Sequence, residues 1–132
     1  MVRRLRESTA ENIELANFDP VTSVANRHVL VRNLDAHIAG PHRPAGSVFL
    51  IDVIELPGMF DSYGHECGDE VMREIGRRLL SVLPMRDIAA NHVNASKPAG
   101  AGGPVLARVS IKEFALHMPG LASPAHAKRL AE

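Results

Sequence analysis

Residues 47–54 read SVFLIDVI, an almost unbroken apolar run that contains a single carboxylate, Asp52. Such a run is typical of a strand that is buried on both faces of a sheet. The polar segment 61–68 reads DSYGHECG and is predicted to be a loop. Asp69 is then well placed to cap a helix over about residues 69–83. A buried strand, a loop and a long helix in this order predict a domain of the α/β class.

The helix over 69–83 has the clearest periodicity in the chain, with apolar residues every three or four positions. These apolar residues are predicted to face the core: Val71, Met72, Ile75, Leu79, Val82 and Leu83. The charged residues between them are predicted to face solvent: Glu70, Arg73, Glu74, Arg77 and Arg78. Acidic residues that precede arginines by three or four positions add modest support to a helix.

Two helices are expected before the apolar strand. Residues 1–17 suit a connector helix from a preceding domain, or equally a frayed terminal helix. Pro20 ends that helix, because the residue before a proline is pushed out of the helical backbone region. A second helix is predicted over 26–39. Its apolar residues share one face: Val29, Leu30, Leu34 and Ile38.

The composition changes after the long helix. Residues 89–104 are rich in Ala, Gly, Asn and Pro and are predicted to form a flexible insertion, with a partner-binding lid as the alternative. Two short strands follow over 105–109 and 113–117, and Ser123-Pro124 starts a final helix. This order of elements predicts an α+β sandwich with a mainly antiparallel sheet.

The overall composition excludes several classes of function. Lys+Arg and Asp+Glu are equal at 15 each, so no net field attracts nucleic acid or an anionic membrane. One cysteine, Cys67, cannot form an internal disulfide. The apolar runs are too short to cross a bilayer, and the N-terminus does not resemble a signal peptide. We therefore expect a cytoplasmic domain with no direct membrane insertion.

Three stretches together resemble one protein family. Residues 19–27 read DPVTSVANR, similar to D-x-L-T-G-L-x-N-R. The strand that holds Asp52, followed by the segment 61–69, is similar to a metal-binding strand and the loop N-D-x-Y-G-H-x-x-G-D. Residues 107–114 read ARVSIKEF, at the place of A-R-x-G-G-D-E-F. These are the motifs of GGDEF domains, the diguanylate cyclase-like domains of bacterial cyclic-di-GMP signalling.

The resemblance implies a nucleotide-cyclase or palm-like fold over residues 18–132. Family domains continue with a further strand and helix, so the chain is expected to be truncated, with that last strand and helix missing. The missing strand would leave an open sheet edge, and such an edge favours pairing with a second copy. A homodimer is therefore compatible with the sequence.

The resemblance also implies that the catalytic signature is degenerate. Active members condense two GTP molecules into cyclic-di-GMP with two divalent metals, held by the strand aspartate, here Asp52, and by the third signature letter, here Lys112. An ammonium group cannot ligate Mg²⁺. Ser110 and Ile111 replace glycines that would let the backbone approach a phosphate. The signature reads Ser110, Ile111, Lys112, Glu113 and Phe114, so no catalytic residue, metal or cofactor is expected.

The remnant of the nucleotide site implied by the family consists of Asp52, Val53, Phe60 and Asp69. Phe60 replaces the asparagine with which family members bind guanine, and it is expected to fill the empty pocket rather than to stack on a base. Asp69 matches the second guanine contact. The inhibitory R-x-x-D motif is also absent, since Pro84 stands at the place of its arginine and Asp87 alone matches.

Two further structural expectations follow. Without a metal, Asp52 is predicted to form a salt bridge with Lys112. His65 in the loop is expected to have a structural role, as in the family. The remaining histidines show no metal-ligand spacing and are predicted to lie at the surface or in loops: His28, His37, His42, His92, His117 and His126.

The leading hypothesis is a catalytically inactive GGDEF domain that acts as a regulatory or interaction module, in a longer chain with a sensor or EAL domain. The alternative is an allosteric sensor that binds GTP and Mg²⁺ through Asp52 and Asp69 without turnover. A third is an active diguanylate cyclase, which Lys112 argues against.

Overall fold

The structure is a computed structural model that describes residues 16–40, 45–83, 103–120 and 124–132. Its helices are α1 (Arg27–Ala39), α2 (Leu56–Tyr63), α3 (His65–Val82) and α4 (Pro124–Ala131). Its strands are β1 (Ala25–Asn26), β2 (Gly46–Asp52), β3 (Val105–Ser110) and β4 (Glu113–Pro119). Ala16 and Asn17 are helical as well.

The four strands form one sheet in the order β1-β3-β4-β2. β2 pairs with β4 in antiparallel register from Gly46 opposite Pro119 to Asp52 opposite Glu113. β3 and β4 form an antiparallel hairpin, whereas the two-residue strand β1 runs parallel to β3. The mainly antiparallel sheet and the mixed α/β class are therefore as predicted.

Helices cover both faces of the sheet, so that there are two apolar clusters. The larger lies under α2 and α3 and contains Val24, Leu56, Met72, Leu83, Leu106, Phe114 and Leu116. The smaller lies under α1 and contains Ala25, Val29, Leu30, Val105, Ala107 and Ala115. Phe114 is fully buried in the larger cluster, which anchors β4 beneath the candidate site.

The prediction that the apolar run is a central strand is wrong. Within the described residues, β2 pairs with β4 alone and is an edge strand. Phe49 and Ile51 pack on the larger cluster, but Val48 and Leu50 on the other face are 54% and 65% exposed. The physical reason is that the α1 cluster draws its strand residues from β1, β3 and β4, so nothing described covers this face of β2.

The prediction that residues 61–68 form a loop is also wrong, because two helices occupy most of this segment. α2 begins at Leu56, with a proline in its first turn, a favourable position because a first-turn N–H has no helical partner. Gly64 then takes φ 87° and ψ 167° and separates α2 from α3. α3 begins at His65, so Asp69 lies inside the helix and does not cap it. The polar side chains misled the prediction because both helices expose one side to solvent.

Several side-chain placements also differ from prediction. Val82 is 75% exposed and Ile38 is also exposed, because each lies near the end of a helix. Met72 and Leu83 are buried as predicted. The prediction that His117 lies at the surface is wrong, since it is 2% exposed.

Some predictions fall outside the described residues. They concern residues 1–15 of the connector helix, residues 89–102 of the insertion, Pro84 and Asp87 of the R-x-x-D motif, and Ser123. The predicted surface or loop positions of His42 and His92 and the predicted exposure of His126 also fall outside what is described. Among the described helices, none is long and apolar enough to cross a membrane.

Candidate functional site

The carboxyl end of β2 meets the turn between β3 and β4. The backbone N–H of Val53 donates to the carbonyl of Lys112 at 2.8 Å, which holds strand and turn together. The Nζ atom of Lys112 lies 3.4 Å from Oδ1 of Asp52, with side chains 38% and 40% exposed respectively. The predicted salt bridge is confirmed. At this exposure it stabilises the fold by no more than about 1 kcal/mol.

The β3–β4 turn accommodates a β-branched residue without a strained backbone. Two-residue hairpin turns usually need positive φ. Among the described non-glycine residues, however, only Ser23, which lies outside this turn, has positive φ. Ile111 and Lys112 therefore form the turn with negative φ. A register shift between Arg108 and Ser110 accompanies it, and such a bulge changes the local twist of the strand. The side chain of Ile111 remains exposed.

Arg108 fastens this turn from below. Its Nη2 donates to the carbonyl of Ile111 at 2.8 Å, and its Nε donates to that of Ser110 at 3.3 Å. Its Nη1 lies 3.3 Å from Oδ2 of Asp19, and both side chains are largely buried. Ser110 in turn donates its hydroxyl to Glu113 at 2.8 Å. The turn conformation is thus held chiefly through main-chain carbonyls.

Asp19 organises the opening motif, residues 19–27, at the other end of this ion pair. Its Oδ2 accepts from both the N–H and the hydroxyl of Thr22, at 2.9 and 2.8 Å. Ser23 has φ 61° and donates its N–H to the carbonyl of Asp19 at 2.9 Å. Arg73 of α3 donates to the carbonyl of Val21 at 3.2 Å. The opening motif therefore lies against the β3–β4 turn and α3.

The link between Asp19 and Arg108 was not predicted from the sequence. Both residues lie in stretches that resemble family motifs, but 89 positions separate them. The available signal was that each is a charged residue flanked by apolar or small ones, which favours a buried pair.

Phe60 fills the space above Gly68. A Cβ atom at Gly68 would lie only 2.1 Å from the Phe60 ring. The ring also packs on the larger cluster, and its centroid lies 4.7 Å from that of His65. Asp69 follows Gly68 on α3 and is half-buried. Val53 and Phe60 pack on the same cluster, whereas Asp52 forms its salt bridge with Lys112 at the β3–β4 turn.

One carboxylate with a lowered pKa lies away from these residues, on the exposed side of α3. Hydrogen bonds from Arg77 and Arg78 lower the pKa of Glu74 to about 2. In the ranges that the structure describes, no three His, Cys, Asp or Glu side chains cluster closely enough to hold a metal ion.

The sequence matches the family model described as diguanylate cyclase, GGDEF domain, over residues 16–92. More than half of the chain is included, and the chain therefore belongs to the GGDEF family. The match ends before the Ser110–Phe114 turn.

This chain matches a similar share of the length of two curated relatives. The diguanylate cyclase DgcS of Shewanella oneidensis is 37% identical over 76 residues, which are 56% of this chain and 26% of that protein. The response regulator PleD of Caulobacter vibrioides is 32% identical over 130 residues, which are 97% of this chain and 25% of that protein. The chain thus spans about a quarter of the length of either relative.

A solved structure shows the same fold. The S helix–GGDEF–EAL structure of Vibrio cholerae LapD, bound to c-di-GMP, superposes with a TM-score of 0.72. The sequences are 21% identical, and the likeness covers 99% of this chain and 28% of that one. The predicted GGDEF fold is therefore confirmed.

Proposed function

We propose that this GGDEF domain is a non-catalytic regulatory or interaction module in cyclic-di-GMP signalling. The observation that carries the proposal is the position of Lys112, whose ammonium lies 3.4 Å from the Asp52 carboxylate. Because relatives such as DgcS are named as diguanylate cyclases, the competing hypothesis is an active enzyme.

The first argument concerns the metal ions on which the family's chemistry depends. Mg²⁺ requires oxygen ligands close to an ideal octahedral geometry. Lys112 offers no lone pair when charged, and its positive charge neutralises the one carboxylate at the end of β2. Glu113 accepts a hydrogen bond from Ser110. These residues do not fit a two-metal centre, and no catalytic step is assigned to them.

The second argument concerns the base. Phe60 packs over Gly68 and on the apolar cluster, so a purine that entered here would have to displace a packed ring. A phenyl group also offers no hydrogen-bond donor or acceptor to the edge of a guanine. Sites that discriminate by hydrogen bonding lose much of their affinity when that pairing is missing.

The third argument is that the framework around the turn is intact. Arg108, Asp19 and Thr22 form a connected hydrogen-bonded set that needs no ligand to complete it. This set ties residues 19–27 to the β3–β4 turn, which suits a domain that passes a change of position to its neighbours. By analogy with the S helix–GGDEF–EAL arrangement of LapD, we propose sensor or EAL domains as its partners, in the cytoplasm. A homodimer stays a prediction.

The direct test is an assay for cyclic-di-GMP formation from GTP with Mg²⁺ or Mn²⁺. We expect no product from this chain, with DgcS from Shewanella oneidensis as the positive control. Because the family reaction joins two GTP-bound copies, the assay is run over a range of protein concentrations. Metal-dependent product that rises with protein concentration would overturn the proposal.

The alternative is that the domain binds GTP without turning it over, and the survival of Asp52 and Asp69 favours it. A thermal-shift titration separates the two. A ligand at a hundred times its dissociation constant stabilises a fold by about 2.7 kcal/mol. A clear shift with GTP and no product would establish the sensor, whereas no shift with GTP or cyclic-di-GMP would support the interaction module.

A further inference from the structure

His117 is a buried titratable residue that belongs to none of the features discussed above. It lies on β4 and is 2% exposed. Its Nδ1 is 2.7 Å from Oδ1 of Asn33. The His37 ring packs edge-on against it, with centroids 4.9 Å apart and planes at 84°. Asn33 and His37 are four residues apart on α1, so both lie on one helix face.

The surroundings of His117 are otherwise apolar. Val48 of β2 and Val105 of β3 lie opposite it in the sheet. The charged residues of these strands, Asp52 and Arg108, pair with Glu113 and Phe114 at the other end of β4.

On α1, the charged residues near the cluster do not share its face. By helical spacing, Arg32 lies beside the face that carries Asn33 and His37, and Asp35 lies opposite it and is exposed. Arg27 and His28 lie in the first turn of α1, and His28 is exposed. Among the described residues of these elements, His37 is therefore the titratable group that faces His117.

Burial favours a neutral His117. The neutral and the charged ring can both donate Nδ1–H to the side-chain oxygen of Asn33, but a charged ring would be buried beside a second imidazole. Burial, and then the charge of His37, lower the pKa of His117 below its ordinary value of 6.5. The unfolded chain therefore binds more protons than the folded chain as the pH falls below 6.5, so stability is lost on acidification.

We infer that His117, Asn33 and His37 form an acid-sensitive latch that fastens α1 to the sheet and releases it as the pH falls. The consequence reaches beyond α1, because its cap is tied to the segment before it. Asn26 accepts from the N–H of Val29 at 3.0 Å and donates its side-chain amide to the carbonyl of Ala16 at 2.9 Å. Release of α1 would thus free the helical residues that lead into the domain. The inference rests on the fold alone and stands whether or not the domain binds nucleotide.

Amide hydrogen exchange on the full chain tests the inference, measured in steps of about half a pH unit from about pH 7.5 to about pH 5, across the ordinary histidine range. Rates are corrected for intrinsic exchange. We expect protection of α1 to fall about tenfold per pH unit below the transition, as one proton per opening event requires, while α3 keeps its protection. His117→Gln, which cannot take up this proton, should make α1 protection independent of pH. His28→Gln, at the exposed histidine of the same helix, is the matched control and should behave as the wild type.

Equal loss of protection in α1 and α3 in the wild type, or the same acid loss in His117→Gln, would overturn the inference. A second variant, His37→Gln, tests the inference in case the His117→Gln protein does not fold. His37→Gln removes the charge that helps to lower the pKa of His117 in the folded chain, so α1 should lose less protection on acidification. A loss of α1 protection in His37→Gln as large as that in the wild type would count against the latch.

Discussion

Ser23 takes a left-handed backbone conformation, with φ 61°, at the position where the family motif has glycine. This conformation costs a residue with a Cβ about 1 kcal/mol relative to glycine. Ser23→Gly is therefore expected to raise the free energy of unfolding by about 0.5–1 kcal/mol, measured by urea denaturation. Ser62→Gly, in the helix α2, is the control and should lower it by a similar amount. A destabilised Ser23→Gly protein would contradict the backbone assignment.

Lys112 gives a second test at a single position. In Lys112→Asp the new carboxylate would lie beside Asp52 and Glu113, and like charges at this distance repel. We expect a variant that is less stable in EDTA and regains stability on addition of Mn²⁺, since clustered carboxylates suit that ion. Thermal unfolding with and without Mn²⁺ measures both effects.

The control for this experiment is Lys128→Asp, a charge reversal at an exposed position on α4, which should show no response to Mn²⁺. If wild-type protein is stabilised by Mn²⁺ as strongly as Lys112→Asp is, the argument that Lys112 excludes a metal is wrong.

The junction of α2 and α3 depends on the contact of Phe60 with Gly68. A Cβ at Gly68 would overlap the Phe60 ring, and overpacking of this kind costs about 1–3 kcal/mol. Gly68→Ala should be destabilised by that amount in urea denaturation. Gly58→Ala is the matched control, because nothing lies within 4 Å of the new methyl group, and it should be stabilised by about 0.5–1 kcal/mol.

The same contact can be isolated by a double-mutant cycle. In a Phe60→Ala background the ring is gone, so Gly68→Ala should cost much less than it does alone. Additive effects of the two substitutions would mean that Phe60 does not fill the space above Gly68.

Acid unfolding of the domain should show two separate windows. The first begins below pH 6.5 and belongs to His117, whose lowered pKa means that stability falls with pH there. The second begins below about pH 4.5 and extends to about pH 2, because Glu74 has its pKa lowered from 4.5 to about 2 by Arg77 and Arg78. The interactions of the ionised Glu74 are fully present above its unfolded pKa and are lost as the pH falls.

Chemical denaturation over this range of pH separates the two windows. His117→Gln should abolish the first and leave the second, whereas Glu74→Gln should reduce the second and leave the first. A single acid transition that both variants change alike would contradict the assignment of the two groups.

Most of this architecture was predicted from the sequence wherever the pattern of apolar residues lay within a single helix or strand. The α3 helix and the β3–β4 hairpin followed from periodicity and from short apolar runs. The salt bridge from Asp52 to Lys112 followed from the family alignment of strand and turn. Helix α2 was missed because polar residues on an exposed helix resemble a loop. The edge position of β2 was missed because an apolar run does not show which neighbours a strand has.

The contacts of Arg108 and His117 could not be predicted for a different reason. Each depends on partners far away in the chain, Asp19 for the arginine and Asn33 for the histidine. Hydropathy and spacing place a residue in a strand, but they do not show which side chain of another element it meets.

Arg108 anchors the β3–β4 turn through the carbonyl groups of Ser110 and Ile111, and every amino acid has a carbonyl group. Substitutions at 110 and 111 that accept the backbone conformation therefore leave these two hydrogen bonds in place. At position 111, where the side chain is exposed, folding places little constraint on the side chain. The turn can therefore carry a side chain other than glycine while the domain around it keeps its fold.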